Sequence, residues 1–246
     1  MIDRFEVKAL KILALESSAT ACSVALSSDG EIIAHSYQNS GLTHSRTLLP
    51  MVNALLANCG QSLDDVDVIA VAAGPGSFTG LRIGVATAKG LAWAEDKDCA
   101  ACSTLESMAW PLSHMEGKLI VCAMDARRKQ VYNALFLVEH GKLMRKAPDR
   151  AISLDELSEE LRHFDQDMIV VGDGAKLCLE ALLAKGYPAV LAPWHLRMQS
   201  AVGVARAAEE QIERGMLVKG TDLVPVYHRL SQAERERMEK EKQNKE

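Results

Sequence analysis

The residue types best suited to chemistry cluster in one stretch, Gly74-Pro75-Gly76-Ser77-Phe78-Thr79-Gly80, where the apolar run 68–73 stops and a helical pattern starts. Strand, glycine turn and helix build many phosphate-binding loops, because the first amides of a helix carry free N–H groups. Three specific templates fail here. A triphosphate-binding loop needs Lys-Ser/Thr after its last glycine, and Leu81-Arg82 follows Gly80. The dinucleotide fingerprint needs G-x-G-x-x-G, and Gly74, Gly76 and Gly80 run one residue too long. A nucleophile elbow needs glycines two before and two after Ser77, where Pro75 and Thr79 stand. Backbone N–H donation to a phosphate stays open beside a packing or interface role.

Other candidates are weaker. Cys99-Ala100-Ala101-Cys102 is a C-x-x-C with no second Cys or His pair to complete a zinc site, so it reads as a buried strand whose two thiols face opposite sides. Ser17 and Ser18 follow Glu16, but a carboxylate without a histidine rarely activates serine. The seven histidines (35, 44, 114, 140, 163, 195 and 228) contain no H-x-x-x-H or H-E-x-x-H.

The elements that must hold these residues repeat. Strands are expected at 10–15, 21–26 and 31–35, with Asp29-Gly30 as a hairpin signal. A helix follows at 45–59, then a strand at 67–73, a helix at 80–94 and a strand near 99–102. The second half gives strands at 119–124, 130–138 and 142–145, and a helix at 154–163 opened by the capping box Ser153/Glu156. A strand at 168–171, a helix at 175–185, a strand at 189–191 and an extra helix at 200–214 complete it. Each half therefore reads β-β-β-α-β-α-β, and in both the first strand ends in an acid, Glu16 or Asp125. Expected units are 1–103, 104–230 (with helix 200–214 packing back on the first) and a charged tail, 231–246.

With 246 residues, 48% hydrophobic and 25% charged, the chain reads as an ordinary globular protein. Its net charge of −5, and no visible basic patch with interleaved aromatics, predict weak nucleic-acid binding by the chain alone. No leader and no run of membrane-spanning length is visible, and six scattered cysteines fit reduced thiols in a cytoplasm.

The duplicated order resembles the actin/sugar kinase/Hsp70 (ASKHA) superfamily, a two-lobed α/β fold. More specifically, the segments 13–26, 43–56, GPGSFTGLRIGVATAKGLA (74–92), CSTLESMA (102–109), MDARRKQVYNALF (124–136) and PVYHR (225–229) resemble the TsaB (YeaZ) family. That resemblance implies a subunit needed for threonylcarbamoyl modification of adenosine 37 in tRNAs reading ANN codons. Its implied partners are the paralogue TsaD, as a heterodimer, and TsaE, with tRNA reached only through the complex. TsaD carries a metal-binding H-x-x-x-H where Thr104 and Met108 stand here, so neither metal nor other cofactor nor catalysis is expected. The rival reading is an ATP-dependent enzyme or M22-type peptidase of the same fold.

For the partner surface two helices are the candidates. Leu48, Leu49, Val52, Leu55 and Leu56 make an apolar stripe on one; Gly80, Gly84 and Ala88 make a small-residue ridge on the other. Internal packing of that ridge on the chain's own sheet is the competing reading. If the two faces lie open, they would receive TsaD, or a second copy of the chain when TsaD is absent.

Overall fold

The computed structural model describes residues 9–229. The tail 231–246 lies outside the described residues. Its first sheet begins with a meander, β1 (Lys11–Glu16), β2 (Cys22–Ser28) and β3 (Glu31–Gln38). The turn between the last two carries Asp29 and Gly30 at positive φ, as the Asp-Gly signal requires. Helix α1 (His44–Asn58) leads to β4 (Val68–Gly74), and α2 (Phe78–Ala94) to β5 (Asp98–Ser103), both strands parallel to β1 in the sheet.

After the short helix α3 (Thr104–Ala109) the order repeats. It runs β6 (Leu119–Asp125), β7 (Gln130–Glu139), β8 (Lys142–Ser153), α4 (Leu154–Leu161), β9 (Met168–Val171), α5 (Ala175–Ala184) and β10 (Ala189–Leu191). The chain ends with α6 (Trp194–Arg197), α7 (Ala201–Glu213) and β11 (Val218–Lys219). The sheets run β11-β5-β4-β1-β2-β3 and β10-β9-β6-β7-β8. Setting β11 aside, the two orders are identical, which is the duplication expected from the sequence.

Side-chain alternation decides which helix covers which face. Leu13, Leu15, Ile69, Val71 and Cys99 point to α1 and α2. Ile12, Ala14, Ala70, Ala72, Ala100 and Cys102 point to the other face, under α7. The two thiols of the C-x-x-C thus sit in different cores, as period-2 alternation demands. The face toward α7 is alanine-lined and α7 answers with Ala201, Ala205, Ala207 and Ala208, so the helix lies close to the sheet. A Cβ at Gly203 would stand 1.8 Å from the Ser107 carbonyl oxygen on α3. Helix α3 in turn packs on the facing side of the second sheet through Leu105, Met108 and Ala109. Helices α3 and α7 therefore form the layer between the two sheets, and α4 and α5 cover the far side of the second.

Candidate functional site

The ends of β1 and β6 meet across a cleft. A cavity of about 540 Å³ there is lined by Ser18, Ser77, Phe78, Tyr132, Asp173 and Arg229 among others. Its walls are the β1–β2 turn, the glycine loop at the start of α2 and the β6–β7 turn. Asp125 and Asp173 line it, and Glu16 lies buried behind Ser18. Glu16 is fully buried at the end of β1, and its Oε1 accepts the Ser18 N–H at 2.6 Å. Burial pushes its carboxyl up to about 7, against the Ser18 hydrogen bonds that pull it down. Asp173, in the turn after β9, is raised in the same direction by burial, while Gln199 Nε2 donates to its Oδ1 at 3.0 Å. Asp125 is exposed, and its Oδ1 accepts the Arg127 N–H at 2.6 Å.

The glycine loop is a joint before it is anything else. Ser77 N–H donates to the Ser18 carbonyl at 2.7 Å, and Ser77 Oγ caps the Gly80 N–H. Cβ atoms added at Gly76 and Gly80 would stand 2.5 and 2.1 Å from the carbonyl oxygens of Ser18 and Ser17. Glycine is required there because backbone meets backbone. Ser17 Oγ donates to the Gly80 carbonyl at 2.9 Å, which occupies that hydroxyl, and His44 Nε2 donates to the Ala19 carbonyl.

A strap, residues 220–229, crosses the mouth of the cleft. Val226 N–H donates to Ala73 O at 2.7 Å, and the Val226 carbonyl passes so close to Gly74 that a Cβ there would lie 2.2 Å away. Tyr227 stacks on Phe78 with centroids 4.0 Å apart and planes 3° from parallel. The Arg82 guanidinium sits 5.0 Å from the Phe78 centroid and donates to the Tyr227 hydroxyl at 3.1 Å. Arg229 Nη1 reaches the Ala126 carbonyl on the opposite side. The strap therefore ties the glycine loop to the second sheet.

Beside it, Arg127, Arg128 and Lys129 form the β6–β7 turn, exposed and all at positive φ (62°, 56° and 57°). Arg127 and Arg229 line the cavity with Phe78, Arg128 and Lys129 follow in the same turn, and Arg82 sits against the stacked rings. The sequence shows no basic patch with interleaved aromatics; in the fold two arginines stand in the cavity wall beside Phe78 and Tyr132, with Asp125 and Asp173 among them. The run 127–129 was visible in the sequence; its meeting with positions 78, 82, 227 and 229 was not, since those positions lie far apart in the chain.

Known proteins place this arrangement. The family model described as TsaD, tRNA N6-adenosine threonylcarbamoyltransferase, matches residues 32–236. A Bacillus subtilis protein named tRNA threonylcarbamoyladenosine biosynthesis protein TsaB is 34% identical over 95% of this chain and 100% of its own. The Escherichia coli protein of that name is 31% identical over 89% and 95%. YeaZ from Pseudomonas aeruginosa superimposes with TM-score 0.77 at 29% identity, covering 89% of this chain and 99% of that one. The chain belongs to the TsaB (YeaZ) family.

Two expectations drawn from the family and the helical patterns now have positions. Thr104 and Met108 are both buried, Met108 packed with Leu105, Cys122 and Phe136. Among the described residues, no group of three or more His, Cys, Asp or Glu is placed to hold a metal ion. The TsaB partner surface needs correction. Leu48, Val52, Leu55 and Leu56 are core residues facing the chain's own first sheet, and Ala88 is wholly buried with them. Gly80 and Gly84 press on Ser17. These seven residues do not lie open, because one sheet face is enough to cover both the leucine stripe and the small-residue ridge. Leu49, the eighth candidate, is the exposed one, at 46%. The outward face of α2 instead carries Arg82, Ala86, Gly90 and Trp93, the last 84% exposed.

Proposed function

We propose that this chain is a non-catalytic subunit of tRNA threonylcarbamoyladenosine synthesis that binds a TsaD-type transferase, holds it in its working conformation and helps receive TsaE. The observation that carries this reading is the pair Thr104 and Met108. Where the paralogue places metal-binding histidines, this chain has a hydroxyl and a thioether in a packed core. Neither suits a divalent ion that prefers imidazole or carboxylate. The spent hydroxyl of Ser17 and the Glu16 carboxyl locked on Ser18 further support a cleft that does no acyl or phosphoryl chemistry.

The partner surface in this reading is the outward side of α1 and α2, around Leu49, Ala86, Gly90 and Trp93. An 84%-exposed tryptophan beside small residues is the composition of an interface anchor rather than of a solvated face. The same face would pair two copies of the chain in the cytoplasm when the transferase is absent. The test is a reconstituted tRNA-modification assay with the cognate TsaD-type enzyme and TsaE, with and without this chain. Modification that proceeds equally well without it refutes the reading. So does micromolar ATP binding with turnover by the chain alone.

A further inference from the structure

We infer that the basic rim of the cleft, with the Phe78–Tyr227 stack, is a contact for single-stranded RNA, taking phosphodiesters on its cations and an unpaired base on its rings. This rests on the proposed function, in which the complex handles tRNA, and adds a direct contact by this chain.

The charge is the first observation. The whole chain carries net charge −5, yet Arg127 and Arg229 line the cavity, Arg128 and Lys129 follow Arg127 in the same exposed turn, and Arg82 lies at the Phe78–Tyr227 stack. Among the described residues, the side chains of Arg127, Arg128 and Lys129 make no ion pair, unlike those of Arg145, Arg150, Arg162, Arg206 and Arg214. The cavity also holds two carboxylates, Asp125, which accepts the Arg127 N–H, and Asp173, which accepts from Gln199, so the cations of the turn and Arg82 beyond the cavity wall tip its rim positive.

The backbone is the second. Three consecutive non-glycine residues at positive φ form a turn that Gly, Asn or Asp would make with less strain. Strain of this kind persists where the surroundings impose it and concentrates at ligand clamps. Here it fans three long cationic side chains out from a turn fixed by the Ala126 N–H to Gln130 O and Gln130 N–H to Arg127 O bonds.

The rings decide between partners. An acidic peptide would need only the cations. Two parallel rings with a guanidinium at their edge, and Tyr227 40% exposed, form a π-surface next to phosphate-binding charge. That combination is how sequence-tolerant single-strand sites are built, and a duplex would offer no free base face to it.

The test uses the full chain and a fluorescein-labelled oligouridylate of about 15 nucleotides, followed by anisotropy at about 50 to about 200 mM salt. Micromolar binding at the lower salt is expected. The triple variant R127A/R128A/K129A should weaken it at least about tenfold and flatten the log K against log salt slope by about 2, three phosphates at about 0.7 each. Tyr227→Leu should weaken binding about fivefold or more with the slope unchanged, because it removes stacking and no charge. Wild-type-like binding by a triple variant that melts normally overturns the inference. Absence of binding at the lower salt does so too. Displacement by polyglutamate as effective as by unlabelled oligouridylate, with Tyr227→Leu neutral, assigns the rim to an acidic protein and overturns it as well. Co-purification of the triple variant with the TsaD-type partner separates the two readings. Pairing retained with RNA binding unchanged sinks only this inference, and wild-type chain that fails to pair sinks the proposed function.

Discussion

Gly80→Ala and Gly90→Ala make the same change in one helix and should move stability in opposite directions. In a helix interior, Gly→Ala is worth up to about 1 kcal/mol through the more restricted unfolded chain and better propensity. At Gly90 an added Cβ meets nothing within 4 Å, so that gain should appear nearly whole. At Gly80 the Cβ would stand 2.1 Å from the Ser17 carbonyl oxygen. That carbonyl cannot retreat freely: Ser17 Oγ is bonded to Gly80 O, Ser18 N–H to Glu16, and Ser77 N–H to Ser18 O. Relieving the clash by moving the hairpin costs about 1–3 kcal/mol of overpacking and about 1 kcal/mol for a strained buried hydrogen bond. Set against the propensity gain, Gly80→Ala should lose about 2–3 kcal/mol. Urea titration gives the free energies. Thermal melts should show Gly80→Ala lower by roughly 5–10 °C and Gly90→Ala higher by roughly 2–4 °C for a chain of this size. Gly84→Ala should fall between them, since it meets a rotatable hydroxyl, Ser17 Oγ, at 2.5 Å. A Gly80→Ala protein as stable as wild type, or a destabilised Gly90→Ala, would refute the reading of the loop as a backbone-to-backbone joint.

Glu16 is raised to about 7 from 4.5, so its ionisation opposes folding: the protonated form is the one the fold tolerates, and its contribution of about 3 kcal/mol fades as pH climbs from 4.5 through 7. Glu16→Gln should therefore flatten urea stability across that window and be the more stable protein at pH 8; an unchanged profile would place the titration elsewhere. Trp93→Asp, on an exposed position, should leave the melt within about 0.5 kcal/mol of wild type. It should also abolish co-purification with the TsaD-type partner, and intact pairing would move the interface. Among the six thiols only Cys59 is partly exposed, and burial raises those of Cys22, Cys99, Cys102, Cys122 and Cys178. Ellman's reagent at neutral pH should accordingly label one thiol fast in the native protein and six after denaturation, and more than one fast thiol would contradict the burial pattern.

What the sequence disclosed was whatever local signals determine. The Asp29-Gly30 turn, the capping box at Ser153 and Glu156, and the acids closing β1 and β6 are legible because each depends on neighbours within a few positions. The repeated strand order followed from these. Helices α3 and α6 and strand β11 went unread: they span six, four and two residues, too short for a period to register. The leucines of α1 show why the site was harder. Amphipathic spacing says that Leu48, Val52, Leu55 and Leu56 share a face, but not whether that face meets the chain's own sheet or another molecule. In the same way no window of sequence could join Phe78 to Tyr227, a contact made by the strap closing over the cleft.

Helix α7 sets the order in which the chain can finish folding. The alanine-lined face of the first sheet, from Ile12 to Cys102, waits for Ala201–Glu213 to cover it. A ribosome adding about 5–20 residues per second delivers that helix roughly 5–20 s after β5 has emerged. Through that interval the nascent first half presents five of the sheet's six strands with one oily side uncovered and open edges at β3 and, until β11 arrives, at β5. Fragments ending near residue 103 should accordingly be sticky rather than miniature versions of the protein, and the duplication visible in the strand order has not left two independently viable halves.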